Sequence, residues 1–385
     1  MRPQSWFATL LSLSLVLLFM TSASAQLVRS SGRPQADSDQ RDVRLGGYLD
    51  LEFFMSDTGN TFKQHRLVPM IDATVSDSVH FACEIEFEYG GSDFAGGSGE
   101  TKVEYAYADI DVGSWALRSG AILVPLGATN LYHDSPMREL TNRPLVARSI
   151  IPSTFTSAGL GGLWGTDDGT WSVEAYALNG FQGGPSDGVS GDWNIDASSG
   201  LRGARPSMKY NGDDRDLSFC GRLAWSPVLG TELGFSAWSG PWSDDGELDM
   251  NITVIDFTTD LGGLAEALTS TELEIEFGDV SLDIDGSNAD MVAEVPEAMS
   301  ASSIQISRRF FPGVIENYFG EESSCGLTVR FERQDLGLGT DDTRRTTIGF
   351  NIRPSDETIL KFDHETTEQG DSDSDQFIIS IATYF

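Results

Sequence analysis

His133-Asp134-Ser135 places the three side-chain types of a nucleophilic hydrolase relay in consecutive positions. A working relay needs the imidazole to reach the hydroxyl with one nitrogen and the carboxylate with the other, which neighbours in one loop do not supply. No other nucleophile stands beside a base, so neither an enzymatic activity nor a cofactor is expected. Asp371-Ser372-Asp373-Ser374-Asp375 has the alternating oxygens of a calcium loop but lacks the glycine at the sixth place and the glutamate at the twelfth. Cys83, Cys220 and Cys325 are odd in number and widely separated, which argues against a disulfide framework. No metal site is expected from these patterns. The remaining chemistry is charge at every second position. Glu84, Glu86 and Glu88 alternate with Ile85 and Phe87, and Arg118, Arg222, Arg309, Arg330, Arg345 and Arg353 take the polar parity of similar stretches.

Alternation of this kind is the signature of β-strands, whose side chains point to opposite faces in turn. Tyr48, Asp50 and Glu52 interleave with Leu49, Leu51 and Phe53; Glu272, Glu274 and Glu276 with Leu273, Ile275 and Phe277; Thr328, Arg330 and Glu332 with Leu327, Val329 and Phe331. About sixteen such segments, each about ten residues long, run from 45–56 to 376–385, with no sustained helical period. About ten residues is what a tilted strand needs to cross the hydrocarbon of a bilayer, whereas sandwich strands are usually about half that. Turn-like joins at Asp77-Ser78, Gly113-Ser114, Thr166–Thr170, Pro227–Gly230 and Pro354–Glu357 alternate with longer acidic joins at 90–101, 182–216, 241–250, 284–301 and 369–375. The spacing therefore predicts an all-β fold, a closed antiparallel transmembrane barrel over 45–385, with both termini on the short-turn side. Closure leaves no unpaired backbone edge in lipid. The join at 313–322 is longer than this scheme asks for, and 263–268 suits a short helical turn.

Composition sets the limits. The chain has 385 residues, 59 acidic against 25 basic, and a formal charge of −34, which disfavours nucleic acid as a partner. Residues 1–25 have the layout of a signal peptide: Arg2, an apolar run to Met20, and a cleavage site ending at Ala25. Residues 26–44 read as a flexible, polar lead-in. Trp115, Trp164, Trp171, Trp225, Trp238 and Trp242 lie near strand ends, where membrane interfaces collect aromatics. Phe377, Ile379, Ile381 and the terminal Phe385 share one face of the last strand.

Several stretches carry a further likeness: Leu117-Arg118-Ser119-Gly120-Ala121-Ile122-Leu123-Val124-Pro125-Leu126-Gly127, Asn142-Arg143-Pro144-Leu145-Val146, Ile150-Ile151-Pro152-Ser153, Gly159-Leu160-Gly161-Gly162, Gly221-Arg222-Leu223, and Gly349-Phe350-Asn351-Ile352-Arg353-Pro354. In these the chain resembles the bacterial outer-membrane porins, most closely the superfamily of phosphate-selective porins O and P. The resemblance implies a barrel of about sixteen strands in the bacterial outer membrane, often a homotrimer, whose third extracellular loop folds inward to narrow a pore for small hydrophilic solutes or ions. That loop would be Ala128 to Thr156, and its charges Asp134, Arg138, Glu139, Arg143 and Arg148 join the wall residues Glu84, Glu86, Glu88 and the six arginines as constriction candidates. A phosphate path needs a dense run of cations, yet the chain has four lysines. A general or weakly cation-favouring pore is therefore expected, with basic wall residues set against loop acids; an anion-selective pore and a secreted adhesive β-protein are the alternatives. Lipid, and lipopolysaccharide bridged by divalent ions to acidic loops, are the expected surroundings.

Overall fold

The computed structural model describes residues 42–56, 59–91, 99–184, 193–206, 208, 217–243 and 245–385. The signal peptide with its cleavage at Ala25, and nearly all of the lead-in, lie outside the described residues. Sixteen antiparallel strands close on themselves. They are β1 Asp42–Ser56, β2 Gly59–Ser76, β3 Val79–Glu88, β4 Glu100–Val112, β5 Trp115–Leu123, β6 Thr156–Gly165, β7 Trp171–Asn179 and β8 Leu217–Val228. β9 Thr231–Pro241, β10 Asp249–Asp260, β11 Thr271–Leu282, β12 Ala298–Phe310, β13 Ser324–Asp335, β14 Thr343–Ser355, β15 Thr358–Gln369 and β16 Ser372–Tyr384 complete the ring. β1 begins three residues inside the expected lead-in. Pairing of β1 with β16, Leu51 opposite Ile381 and Phe53 opposite Ile379, makes the final seam, and the Phe385 N–H donates to the Gly47 carbonyl (2.9 Å).

The alternation resolves into an apolar outside and a polar inside. Leu233, Phe257, Ile275, Ile304 and Phe331 are register neighbours across five strands and form one row of an outward band. Ile275, Ile304 and Phe331 are 36%, 46% and 57% exposed, while Asp50, Glu84, Glu86, Arg222, Arg330 and Arg345, of opposite parity, are buried. An exposed apolar belt over a charged interior is stable only with hydrocarbon outside, the arrangement of a membrane barrel. Trp115 with Trp164 and Trp171 with Trp225 form cross-strand pairs at the short-turn rim (centroids 6.4 and 5.9 Å apart). Trp238 and Trp242 depart from expectation. Both are buried, packed against Phe181 and Trp193 respectively, because their parity is the inner one.

Two long-side joins are shorter than the alternation suggested: β1 and β2 pair up to Ser56 and Gly59, and β15 and β16 up to Gln369 and Ser372, so the expected long join at 369–375 is a tight turn. The join at 313–322 is long because it holds a helix, α3 (Gly313–Phe319); 261–268 forms two 3₁₀ turns. Two shorter helices, α1 (Ala128–Leu131) and α2 (Ala289–Glu294), sit in long-side loops.

The apolar residues of 128–156 take part in an apolar plug on the long-loop side, and the share of the next long loop in it was not read from the sequence. Val146, Ile150, Ile151 and Phe155 pack with Phe181, Ile195 and Leu201 of the next long loop, with Met291 of α2, and with inward Ile252, Val254 and Val280. The Leu201 N–H donates to the Ser149 carbonyl (2.8 Å) and Arg205 to the Ser153 carbonyl (3.0 Å), so one loop seals the other.

Candidate pore constriction

The segment joining β5 to β6 is positioned first by one residue. Asn130 donates to the Val124 and Phe155 carbonyls (2.8 and 3.1 Å), while its own carbonyl accepts from the Phe155 N–H and the Ser153 hydroxyl (2.9 and 3.0 Å). The two ends of the loop are thereby tied to each other. Gly127 turns the chain inward with φ +76° and ψ 155°, a region reserved in practice for glycine. A Cβ there would stand 2.4 Å from Glu276 Oε1.

From that turn the loop bonds to well-separated arcs of the wall. The Thr129 N–H donates to Glu276 of β11 (3.1 Å), and the Ser135 hydroxyl to Asp50 of β1 (2.5 Å). Lys361 of β15 donates to the Ser135 carbonyl (2.7 Å), and Asp363 accepts from the Thr141 N–H (2.7 Å). On β13, Arg330 donates to the Asn142 carbonyl (2.9 Å), Glu332 accepts from the Leu145 N–H (2.7 Å), and Gln334 accepts from the Ser149 hydroxyl (2.8 Å). The loop's main chain therefore uses lumen side chains where a strand would use another strand. Each such bond satisfies a group that burial would otherwise leave unpaired.

The charges singled out from the sequence fall into tight pairs. Glu86 lies between Arg66 (2.7 Å) and Lys102 (2.6 Å), and Arg66 also reaches Glu88 (3.3 Å). Glu84 turns instead toward the loop. Arg118 grips Asp109 (2.8 and 2.9 Å) and lies over the Tyr107 ring (3.7 Å to the centroid). Arg222 is held by Asp256 (2.6 Å) and Glu232 (2.9 Å), and Arg330 and Arg345 share Glu332 (3.0 and 2.7 Å).

Within the loop, Arg138 closes on its own Thr141 carbonyl (2.6 Å) and Ser135 hydroxyl (3.0 Å). Arg143 is buried with one long bond to the Thr154 hydroxyl (3.3 Å), and burial, with Arg66 and Arg138 nearby, pushes its guanidinium down to about 9. Arg148 is exposed on the π-helical turn Val146–Ile150. The expected opposition of basic wall to acidic loop takes another form. Glu139 touches Arg309 (3.0 Å) and Arg353 (3.1 Å) directly, and Asp134 accepts from the Tyr384 hydroxyl (2.7 Å). Acid and base meet in contact, so at Glu139 no gap remains across which a field would act.

Below the loop, toward the short-turn rim, lies a cavity of about 970 Å³. Thr129, Tyr132, Glu139 and Pro144 roof it, and Asp168, Leu229 and Asp260 stand at its mouth. Its walls add Glu232, Glu272, Glu274 and the partly exposed Arg309. Glu274 accepts from Gln305 (2.8 Å), and neither Glu272 nor Glu274 is in an ion pair among the described residues. These two acids were visible as a polar face but not as site residues, because only the closed ring shows which charges lack a counterion.

Three comparisons bear on this architecture. No protein-family model matches the chain. A protein of Aquifex aeolicus (strain VF5) described as uncharacterized is 28% identical over 216 residues, 54% of this chain and 47% of that protein; the chain thus spans about half the length of the curated relative it matches. Among solved structures, the outer membrane channel DcaP of Acinetobacter baumannii aligns with TM-score 0.57 at 10% identity, over 91% of this chain and 99% of that one. The anion-selective porin of Comamonas acidovorans gives 0.56 at 11%, over 90% and 100%. The trimer form of OmpT, an outer membrane protein of Vibrio cholerae, gives 0.55 at 11%, over 90% and 100%. These likenesses show the fold. They point to porin barrels in general and do not single out the phosphate-selective superfamily.

Proposed function

We propose that this chain is a bacterial outer-membrane porin that lets small hydrophilic solutes and ions diffuse passively, with a weak preference for cations. The observation that carries this reading is the cavity between the inward loop and the short-turn rim, walled by Glu272 and Glu274, two adjoining acids that hydrogen-bond each other and have no ion-pair partner among the described residues. Local field follows local uncompensated charge. The wall arginines contribute little to an anion path, since Arg222, Arg330, Arg345 and Arg353 each contact a carboxylate. Phosphate selectivity therefore finds no support in the geometry. A homotrimer is part of the proposal, in keeping with the OmpT trimer form, as is contact between the acidic long-loop rim at Asp341 and lipopolysaccharide through divalent ions.

The test is reversal potential across a planar bilayer in asymmetric KCl. Stepwise conductance with a potassium preference is expected, and Glu272→Gln with Glu274→Gln together should bring the permeability ratio toward unity. A wild-type chloride preference would reverse the selectivity reading, and absence of any conductance steps would end the porin reading.

A further inference from the structure

Where the inward loop meets β3 and β4, four ligand-type side chains converge. His133 Nε2 lies 3.2 Å from Glu104 Oε2, 3.7 Å from Asp134 Oδ1 and 3.9 Å from Glu84 Oε1. Bonds of about 2.1 Å to a tetrahedral or octahedral ion put neighbouring donor atoms about 3.0–3.4 Å apart, and angular distortion stretches that range upward. Glu84, Glu104 and His133 are 1%, 1% and 2% exposed.

Three further details point inward on a ligand. The His133 Nδ1 stands 2.9 Å from the Asn130 carbonyl, which can only accept, so Nδ1 carries a proton and Nε2 faces the three carboxylates. That is the outer bond by which metal-ligating imidazoles are commonly oriented. Glu104 is oriented in turn by the Thr154 hydroxyl (2.6 Å to Oε1), and Asp134 by Tyr384 (2.7 Å). Glu84 Oε1 is fully buried with no hydrogen-bond partner among the described residues, and it is the atom turned toward His133. A buried carboxylate oxygen left unmatched beside two other acids is costly unless a cation balances it. Of the arginines nearby, Arg66 is already spent on Glu86 and Glu88, and Arg143 bonds the Thr154 hydroxyl rather than any of the four. The other His–carboxylate group, His65 with Asp50 and Glu52, is different in kind. Its Nδ1 meets Glu52 at 2.8 Å, closer than two donors stand around one ion, and the Asp50 oxygen it meets at 3.1 Å already accepts from the Ser135 hydroxyl (2.5 Å).

We propose that Glu84, Glu104, His133 and Asp134 bind one divalent transition-metal cation of the Zn²⁺, Mn²⁺ or Co²⁺ class, which fastens the loop to the barrel wall. One imidazole among carboxylates favours these ions over calcium or magnesium, which take oxygen alone. Two of the ligands come from the loop and two from strands, so the ion would tie the loop to the wall at a further point. It does not enter the permeation reading and stands independently of it.

Chelator-stripped mature protein in detergent is titrated with Co²⁺ alone, and the ligand-field absorption is followed. One equivalent bound, displaced by Zn²⁺ and not by millimolar Ca²⁺, is expected. Glu84→Gln and His133→Gln should each weaken it at least about tenfold, with the unheated gel mobility of a closed barrel retained. Should the Glu84 variant fail to fold, the near-isosteric His133→Gln decides alone. Co²⁺ uptake equal in wild type and His133→Gln, or displaced as readily by Ca²⁺, would place the metal on the acidic rim and overturn the site; so would no uptake at all.

Discussion

Replacing Arg345 with methionine, Arg345→Met, tests whether the wall holds the loop through side-chain charge. The Arg345 guanidinium is 2% exposed and makes two bonds to Glu332 (2.7 and 3.0 Å) and one to the Arg143 carbonyl (2.6 Å). Breaking a buried pair by removing one partner costs about 3–5 kcal/mol. Glu332 keeps Arg330 (3.0 Å) and the Leu145 N–H (2.7 Å), which places the loss near the lower end, about 3 kcal/mol. The cost falls on the loop. β13 and β14 remain joined by main-chain pairing from Ser324–Arg353 to Gln334–Thr343, which needs no side chain. At about 1.4 kcal/mol per decade, local opening should become about a hundredfold more frequent. Amide exchange reads this directly. The Leu145 N–H, whose acceptor is Glu332, should exchange about two orders of magnitude faster, as should those of Arg143, Val146 and Ala147, while the amides of β13 and β14 keep their protection. Unchanged exchange at Leu145 would mean that the apolar plug alone holds the loop. Uniform acceleration in the strands would mean that the pair supports the barrel instead, and either result refutes the reasoning.

Two further perturbations address other anchors. Burial alone would raise the Glu139 carboxyl, yet Arg353 and Arg309 overcome it and hold the group below its usual range. Its contribution is therefore full above the ordinary glutamate value of about 4.3 and lost as pH falls through the lower folded value. Open-channel current noise should stay flat from pH 7 to 5 and rise below about pH 4, while Glu139→Gln shows the rise already at pH 7; noise that grows between pH 7 and 5 would contradict this. Gly127→Ala forces a side chain into a glycine-only backbone region, for about 1–3 kcal/mol, with its Cβ 2.4 Å from Glu276 Oε1 and 2.7 Å from Ile151 Cδ1. Trypsin should then cut after Arg138, which normally closes on the Thr141 carbonyl, while the barrel keeps its unheated gel mobility, and continued resistance at Arg138 would show that the turn tolerates the methyl group.

The ring of strands was legible because one rule, alternation, repeats along most of the chain, and an error in one segment does not propagate. Parity put Glu84, Glu86 and Glu88 on one face; Glu84 and Glu86 are buried and Glu88 contacts Arg66 (3.3 Å). What parity cannot give is pairing across distant strands. That Glu139 would meet Arg353, more than two hundred positions away, depends on how far the loop reaches. His133 illustrates the same limit. Beside Asp134 and Ser135 it invited comparison with a hydrolase, whereas its partners are Glu84 and Glu104 on two strands and the Asn130 carbonyl three residues back.

The apolar plug left a trace in the sequence all the same, as an inversion of parity. On β10 the inward Met250, Ile252 and Val254 are apolar and the outward Asn251 and Thr253 polar; from Ile255 onward the outward face turns apolar and the inward face reaches Asp256. β11 inverts between outward Phe277 and Asp279, and β12 between outward Ser302 and Ile304. Register puts these changes side by side, with Ile255 opposite Phe277, Phe277 opposite Ser302, and Thr253 opposite Asp279. Three strands switching at one level describe a plane. Outside the barrel it is where hydrocarbon gives way to water; inside it is where the polar cavity gives way to packed loops. A strand that crosses the plane must exchange the roles of its faces, since apolar side chains follow whichever side is dry. The inversion thus marks both the membrane boundary and the depth to which the loops descend, and the loop carrying His133 and Glu139 is held at that depth because its apolar half belongs to the dry interior above the plane and its charged half to the wet interior below.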